Sequence, residues 1–131
     1  MKVLVLGNGA REHALCWALS DSPLITKIFC APGNPGIQEE AECIPIDINN
    51  NENILELAKK ENIDLVIPGP EVPLVNGIID LLKLNGIKAF GPTKKAAQLE
   101  GSKNFTKEIC KSGNIPTANY ELFSNQNNAL N

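Results

Sequence analysis

The stretch VLVLGNGAREHAL, residues 3–15, constrains the fold more than any other feature of the sequence. Its four consecutive apolar residues are typical of a strand that is covered on both faces. The glycines at positions 7 and 9 permit a tight turn, and the residues that follow have helical spacing. The stretch therefore predicts a strand–turn–helix unit whose turn can bind a phosphate at the helix N-terminus.

Short apolar runs and helical periods continue to alternate along the first 90 residues. Further strands are predicted at residues 27–30, 43–46, 64–67 and 87–90, and helices at residues 11–20, 54–62 and 75–82. A proline inside the third strand indicates a sheet edge. This order predicts a doubly wound α/β fold with a mostly parallel open sheet and helices on both faces.

The pattern changes after residue 90. Residues 96–112 have helical spacing with an interruption near Gly101 and Ser102, and residues 119–123 are compatible with one more strand. Residues 124–131 are polar, and we expect them to be mobile or to pair with a neighbouring molecule. We therefore expect one small domain at residues 1–100, followed at residues 101–131 by the first elements of a second domain.

Composition narrows the class of protein. A formal net charge of -3 argues against a nucleic-acid partner, because phosphate backbones demand clustered basic residues. The N-terminus has neither the pattern of a signal peptide nor that of a membrane span, so we expect no membrane partner. Four cysteines without a C-x-x-C pair fit free thiols in a reducing compartment, which favours a cytoplasmic location.

Three loops with unusual chemistry are predicted at one edge of the sheet, at residues 7–13, 31–36 and 68–71. Ligands of open parallel sheets bind at the carboxyl ends of the strands, where these loops lie. Glu71, in a rigid turn between two prolines, is interpreted as a ligand-binding carboxylate. The three loops together are the candidate binding site.

Two interpretations remain open for the charged triplet Arg11, Glu12 and His13. In one, Glu12 complements the helix dipole while Arg11 and His13 are solvated. In the other, Arg11 and the loop amides hold a phosphate, and Glu12 accepts hydrogen bonds from sugar hydroxyls. His13, the only histidine, is interpreted as an orienting or structural group rather than a catalyst.

A dinucleotide cofactor is disfavoured on two counts. The dinucleotide fingerprint requires a small residue where Glu12 stands, and an acidic residue at the end of the second strand. That strand ends in Cys30, Ala31 and Pro32. A nicotinamide or flavin cofactor is therefore not expected.

Four segments resemble the glycinamide ribonucleotide synthetase family, the phosphoribosylamine–glycine ligases of de novo purine synthesis: GNGAREHALCWALSDSP, FCAPGNPG, DLVIPGPEVPLVNGIID and FGPTKKAAQLEGSKNFTKEI. The resemblance implies a Rossmann-like pre-ATP-grasp domain, followed by the beginning of an ATP-grasp domain. It also implies an ATP-dependent ligation that joins glycine to 5-phosphoribosylamine and gives glycinamide ribonucleotide, ADP and phosphate. Magnesium or manganese would accompany the ATP.

The resemblance assigns residues to the sugar substrate. The group that would cradle phosphoribosylamine comprises Asn8, Gly9, Arg11, Glu12, His13, Gly33, Asn34 and Gly36, and the group that would face its ribose comprises Gly69, Pro70 and Glu71. Asn8 and Ala10 depart from the small residues more usual in the family.

No catalytic or metal-binding residue is expected within this chain, because those that the family uses would lie beyond Asn131. We therefore expect the chain to be inactive alone, to bind no ATP or metal by itself, and to have the rest of the ligase as its partner. The alternative is a stand-alone module that binds a phosphorylated sugar.

Overall fold

The structure, a computed structural model, describes residues 1–129. The chain divides into two compact units, Met1–Ala97 and Gln98–Asn131. This division falls inside a helix, and the domain boundary predicted at residue 100 stays a prediction.

Within the described residues, the first unit contains one five-stranded sheet. Its strands are β1 (Lys2–Gly7), β2 (Lys27–Pro32), β3 (Glu42–Cys43), β4 (Leu65–Pro68) and β5 (Lys88–Ala89). The strand order is β3-β2-β1-β4-β5, and every neighbouring pair is parallel. The predicted parallel open sheet is confirmed, as is the position of the third strand at an edge.

Helices cover both faces of this sheet, also as predicted. They are α1 (Ala10–Ser20), α2 (Asn51–Lys60), α3 (Glu71–Asn76) and α4 (Ile78–Leu84), with a 3-10 turn at Ile37–Glu39. On one face, α2 and α4 pack against residues such as Leu4 and Val66. On the other, α1 and the 3-10 turn pack against residues such as Val3 and Cys30.

The single helix predicted at residues 75–82 is wrong, because the chain forms two helices there. Gly77 separates α3 from α4 with a φ of 93°, a left-handed conformation that an α-helix cannot continue through. The predicted helical end at Gly86 is confirmed, since this residue follows α4 with a φ of 73° and donates its N–H to Lys83 O.

The bounds of several other elements also differ from the prediction, and three of these differences have a local cause or are large. The helix α2 begins at Asn51 rather than residue 54, because the side chain of Asn50 caps it by accepting from Glu52 N–H at 3.0 Å. Strand β3 ends before Pro45, which cannot donate to a ladder. Strand β5 covers only the central two of the four predicted residues.

The interruption predicted near Gly101 and Ser102 is confirmed. The helix α5 (Lys94–Gly101) ends there, and Ser102 caps α6 (Lys103–Ser112) by accepting from Phe105 N–H at 3.3 Å. The strand predicted at residues 119–123 is wrong: the described part of the second unit has no strand to pair with it, and the segment is irregular. A short helix, α7 (Gln126–Ala129), follows. The mobility or intermolecular pairing expected for residues 124–131 stays a prediction. Residues 130 and 131 of that segment lie outside the described residues.

Candidate functional site

The candidate site lies at the point where the strand order of the sheet reverses. Strand β1 pairs with β2 on one side and with β4 on the other, and Gly7 is level with Pro32 while Leu6 is level with Pro68. The three predicted loops therefore leave the sheet at the same edge. A crevice between such loops is where open α/β sheets bind their ligands.

Glu12 is the only charged residue in the described part of the chain that is buried, with 4% of its surface exposed. Side chains near the start of a helix point back toward its N-terminus, so the carboxylate of Glu12 reaches the turn that precedes α1. Its Oε2 accepts from Gly9 N–H at 2.7 Å, and its Oε1 accepts from Arg11 Nε at 2.9 Å. Glu12 thus caps its own helix from within.

Glycines on two loops make room for this carboxylate. A Cβ placed on Gly69 would lie 1.9 Å from Glu12 Oε1, and one placed on Gly7 would lie 2.7 Å from Glu12 Cδ. Gly7 also has a φ of 126°, which other residues rarely adopt. In a dinucleotide-binding fold, a small residue on the helix lets helix and strand pack closely. Here that position is Glu12, and glycines on the two neighbouring loops leave room for its side chain.

Asn34 ties the second loop to the first. Its Nδ2 donates to Asn8 O at 2.8 Å, while its Oδ1 accepts from Ile37 N–H at 3.0 Å. Gly33, with a φ of 72°, donates its N–H to Gly7 O at 3.1 Å. The two predicted loops are therefore one connected backbone structure.

His13 is half-buried beside the second loop. A Cβ placed on Gly36 would lie 3.1 Å from His13 Cε1, so a larger residue there would crowd the ring. This position fits the orienting or structural role that the sequence favours.

The third loop is joined to the first through the sheet. Gly69 donates its N–H to Leu6 O at 2.9 Å, and Pro70 precedes the first residue of α3, Glu71. The side chain of Glu71 is exposed. The structure thus brings all three predicted loops to one edge, while the assignment of their residues to a ligand stays a prediction.

A cavity of about 290 Å³ opens between these loops. Asn8, Glu12 and Pro70, all predicted site residues, are among the ten that line it. These ten residues, which belong to the described part of the chain, include no lysine, arginine or histidine. The cavity therefore suits hydroxyl, amine or amide groups better than a phosphate.

Two lining residues, Asp47 and Asn49, were missed from the sequence. They belong to the segment between β3 and α2, and Asp47 Oδ1 accepts from Asn49 N–H at 2.9 Å. The available signal was a cluster of Asp and Asn directly after a strand, at the same edge as the other loops. Sequence reasoning passed over it because this strand is short and lies at the edge.

Other predicted residues lie outside the cavity lining. Arg11 is the second residue of α1 and has 62% of its side chain exposed, and His13 follows two residues later in the helix. The site thus has two parts: a cavity that contains carboxylates, and basic side chains at the start of α1. This separation was not foreseen from the sequence.

Two cysteine thiols, one buried and one half-buried, donate to backbone oxygens of the first two loops. Cys30 Sγ donates to Gly7 O at 3.4 Å, and Cys43 Sγ donates to Asn34 O at 3.7 Å. A hydrogen bond with Cys16, together with burial, raises the pKa of the Cys30 thiol far above its ordinary value. Burial also raises the pKa of Cys43. All four cysteines of the chain are free thiols.

The second unit has a cavity of its own, of about 560 Å³. Lys107, at its wall, donates to Thr117 Oγ1 at 2.6 Å and to Ala118 O at 2.9 Å, and its ammonium lies 5.2 Å from the centre of the Tyr120 ring. Lys107 thereby holds the irregular segment after α6 against that helix.

The described residues contain no group of three or more histidine, cysteine, aspartate or glutamate side chains that could hold a metal ion. Nor do they include a helix with the length and apolar character needed to cross a bilayer.

A sequence model of the family described as "Phosphoribosylglycinamide synthetase, N domain" matches residues 1–100. A relative from Brucella melitensis, named phosphoribosylamine–glycine ligase, is 52% identical over 125 residues, which are 95% of this chain and 29% of that protein. A second, from Clostridium acetobutylicum, has the same name and is 45% identical over 99% of this chain and 31% of its own length. The chain thus spans less than a third of the curated relatives it matches. These names give no support to a stand-alone sugar-binding module.

The crystal structure of a phosphoribosylamine–glycine ligase from Thermotoga maritima has a similar fold. Its TM-score is 0.69 at 28% identity, over 92% of this chain and 27% of that one. The chain is therefore similar in fold to about a quarter of the Thermotoga maritima ligase.

Proposed function

Since this chain belongs to the phosphoribosylglycinamide synthetase N-domain family, we propose that it is the N-terminal part of a phosphoribosylamine–glycine ligase. The whole enzyme would join glycine to 5-phosphoribosylamine, with ATP as the energy source, and release glycinamide ribonucleotide, ADP and phosphate. Within that reaction, the chain would hold the phosphoribosylamine. The proposal includes a role in purine biosynthesis and a cytoplasmic location.

One observation carries the assignment of the sugar substrate: the crevice at the strand reversal combines a carboxylate-lined cavity with an exposed arginine beside it. The hydroxyl and amine groups of a ribosylamine can donate hydrogen bonds. The oxygens of Asn8 and Asp47 in the cavity wall can accept them. A phosphate is best held by a guanidinium, and that of Arg11 stands at the adjacent helix start. The two parts of the site match the two ends of a phosphorylated amino sugar.

Glu71 would complete the ribose side of this site. It is exposed in the first turn of α3, directly after the loop that contributes Pro70 to the cavity wall. Gly33 and Asn34 would act indirectly, because the N–H of Gly33 and the side chain of Asn34 bond the second loop to the first, and Gly36 would let that loop lie close to His13. His13 would orient that loop.

ATP does not fit the cavity of the first unit. Its lining includes the carboxylates of Glu12 and Asp47 and, among the described residues, no basic side chain to neutralise a triphosphate. A magnesium or manganese site does not fit either, since no suitable cluster of ligands exists in the described part of the chain. We therefore assign ATP and its metal to the remainder of the whole protein.

Calorimetry with ribose 5-phosphate, a stable substitute for phosphoribosylamine, tests this proposal. We expect the chain to bind it, and we expect Arg11→Ala and Glu71→Ala each to weaken binding by about tenfold, the usual effect of losing one charge-assisted hydrogen bond. Asp21→Asn is the control, because Asp21 lies at the opposite end of α1. Unchanged affinity in both site variants would show that the assigned site is wrong.

A further inference from the structure

The buried carboxylate of Glu12 stands where a phosphate-binding βα unit places its ligand. In such units, free N–H groups at the helix N-terminus point at the bound anion. Here Gly9 N–H, at the start of α1, donates to Glu12 Oε2 at 2.7 Å. The chain thus supplies an anion to its own helix N-terminus.

This position leaves no space for a second anion. The carboxylate is 4% exposed and lies between the loop after β1 and the loop after β4. Atoms added at Gly7 or Gly69 would overlap it, at 2.7 Å and 1.9 Å respectively. A phosphate bound by the same N–H group would also meet the repulsion of a like charge at close range.

Arg11 is held by the same carboxylate and still has donors to offer. Its Nε donates to Glu12 Oε1 at 2.9 Å, which uses one of the five N–H bonds of the guanidinium. The side chain is 62% exposed, so the outer edge of the guanidinium is accessible to a ligand at the rim of the cavity. The ion pair fixes where that edge lies.

We propose that Glu12 is a positioning residue that takes the anion position at the start of α1 and thereby directs the ligand phosphate to Arg11. That the ligand bears a phosphate rests on the proposed function. The role replaces the one predicted from the sequence, in which Glu12 accepts from sugar hydroxyls and the loop amides hold the phosphate. It also explains why a dinucleotide is excluded: its pyrophosphate would need the place that Glu12 fills.

The first test uses the chain without ligand. Hydrogen exchange of Gly9 N–H and of Arg11 Nε–H is measured by NMR in the wild type, in Glu12→Gln and in the charge control Asp21→Asn. Gly9 and Arg11 donate to different oxygens of Glu12, and in glutamine an NH2 group, which cannot accept, replaces one of these two oxygens. We expect at least one of the two to exchange about tenfold faster in Glu12→Gln only. Equal exchange in all three proteins would overturn the proposal.

The second test measures the affinity of ribose 5-phosphate and of unphosphorylated ribose in Glu12→Gln, Arg11→Ala and the double variant. We expect each single variant to lose about tenfold in affinity for ribose 5-phosphate, and the double variant to lose no more than either, because both changes remove the same contact. Ribose binding should not change. Additive losses, or equal losses for ribose, would overturn the proposal.

The two tests separate this proposal from the proposed function. If the wild type does not bind ribose 5-phosphate, the substrate assignment fails, whereas the exchange experiment still decides whether Glu12 holds Gly9 and Arg11. Thermal unfolding identifies any variant that does not fold. If Glu12→Gln is unstable, Arg11→Lys takes its place, because lysine keeps the exposed charge but lacks the planar fork that can bond Glu12 with one edge and a phosphate with the other, and the same loss for ribose 5-phosphate alone is expected.

Discussion

Glu12 is enclosed mainly by backbone, and this makes its surroundings sensitive to single methyl groups. The loops after β1 and β4 approach the carboxylate closely because glycines stand at positions 7 and 69. Burying a carboxylate is costly unless it is hydrogen-bonded, and Gly9 and Arg11 provide those bonds. The glycines of the two loops are therefore constrained by Glu12 in addition to any ligand.

We expect Gly69→Ala to lower the free energy of unfolding by about 2 kcal/mol, because its Cβ would overlap Glu12 Oε1. Gly86→Ala is the control: its Cβ would meet nothing within 4 Å, and the cost of about 1 kcal/mol comes from its φ of 73° alone. Urea unfolding measures both. In a Glu12→Ala background the Gly69 penalty should disappear and the Gly86 penalty remain. A Gly69 penalty independent of Glu12 would contradict this account.

Cys30 gives the first unit a dependence on pH. Its pKa is raised in the folded chain by its hydrogen bond with Cys16 and by burial, whereas the unfolded thiol loses its proton near pH 8.5 to 9. Above that pH the unfolded state binds fewer protons than the folded state. Cys30 therefore contributes stability that is lost as pH rises above that value, and the pKa of Cys16, which the same hydrogen bond lowers, offsets part of this loss.

Urea unfolding between pH 7.5 and pH 10, under reducing conditions, checks this dependence. We expect the free energy of unfolding to decline across the range, and to decline less steeply in Cys30→Ala. Cys110→Ala, in the second unit, should keep the slope of the wild type. If Cys30→Ala has the same slope as the wild type, another group is responsible.

Of the ten residues that line the cavity, three were predicted as site residues from the sequence: Asn8, Glu12 and Pro70. Arg11, Glu12 and the loop glycines were found because charged and glycine residues follow predicted strands at one edge. The burial of Glu12 could not be predicted, since a glutamate in the first helical turn is ordinarily solvated and the space for it comes from Gly69, 57 positions away. Asp47 was missed for a similar reason, because its segment reaches the cavity only through the fold.

At the scale of elements, the loops after β1 and β2 act as one structure. Asn34 joins them through its bond to Asn8 O, and the pairing of Gly33 with Gly7 extends the strand register into the loops. A ligand that contacts either loop would therefore depend on both.

Asn34→Asp tests this coupling. The aspartate has the same shape and can still accept from Ile37 N–H, but it cannot donate to Asn8 O. We expect affinity for ribose 5-phosphate to fall about tenfold. Asn50→Asp is the matched control, because it adds the same charge nearby at a helix cap where aspartate is equally suitable. Equal affinities in the two variants would argue against coupled loops.

The elements that the sequence predicted well are those with the strongest local signals. Strands β1, β2 and β4 have continuous apolar runs and occupy the centre of the sheet, as expected. The errors lie where tertiary contacts decide. Gly77 breaks a periodic apolar stretch into α3 and α4, and the apolar residues near Tyr120 have no strand beside them in the described part of the second unit.

At the scale of the whole molecule, strand order determines where function can lie. Successive strands are added on one side of β1 up to β3 and on its other side from β4 onward, and the residues that the sequence singled out all follow strands at the edge where this order reverses. The second unit, by contrast, holds its own cavity beside Lys107. The chain belongs to a ligase family and spans less than a third of the relatives it matches, and we propose that its share of the reaction is to bind the sugar substrate.

The central claim is that the crevice at the strand reversal holds a phosphorylated sugar. Titration of the isotope-labelled chain with ribose 5-phosphate, followed through its backbone amide NMR signals, tests it most directly. We expect saturable shifts clustered at residues 7–13, 32–36 and 69–71, with residues 107–122 unaffected. Shifts confined to residues 107–122, or none at any concentration of ribose 5-phosphate, would contradict the claim.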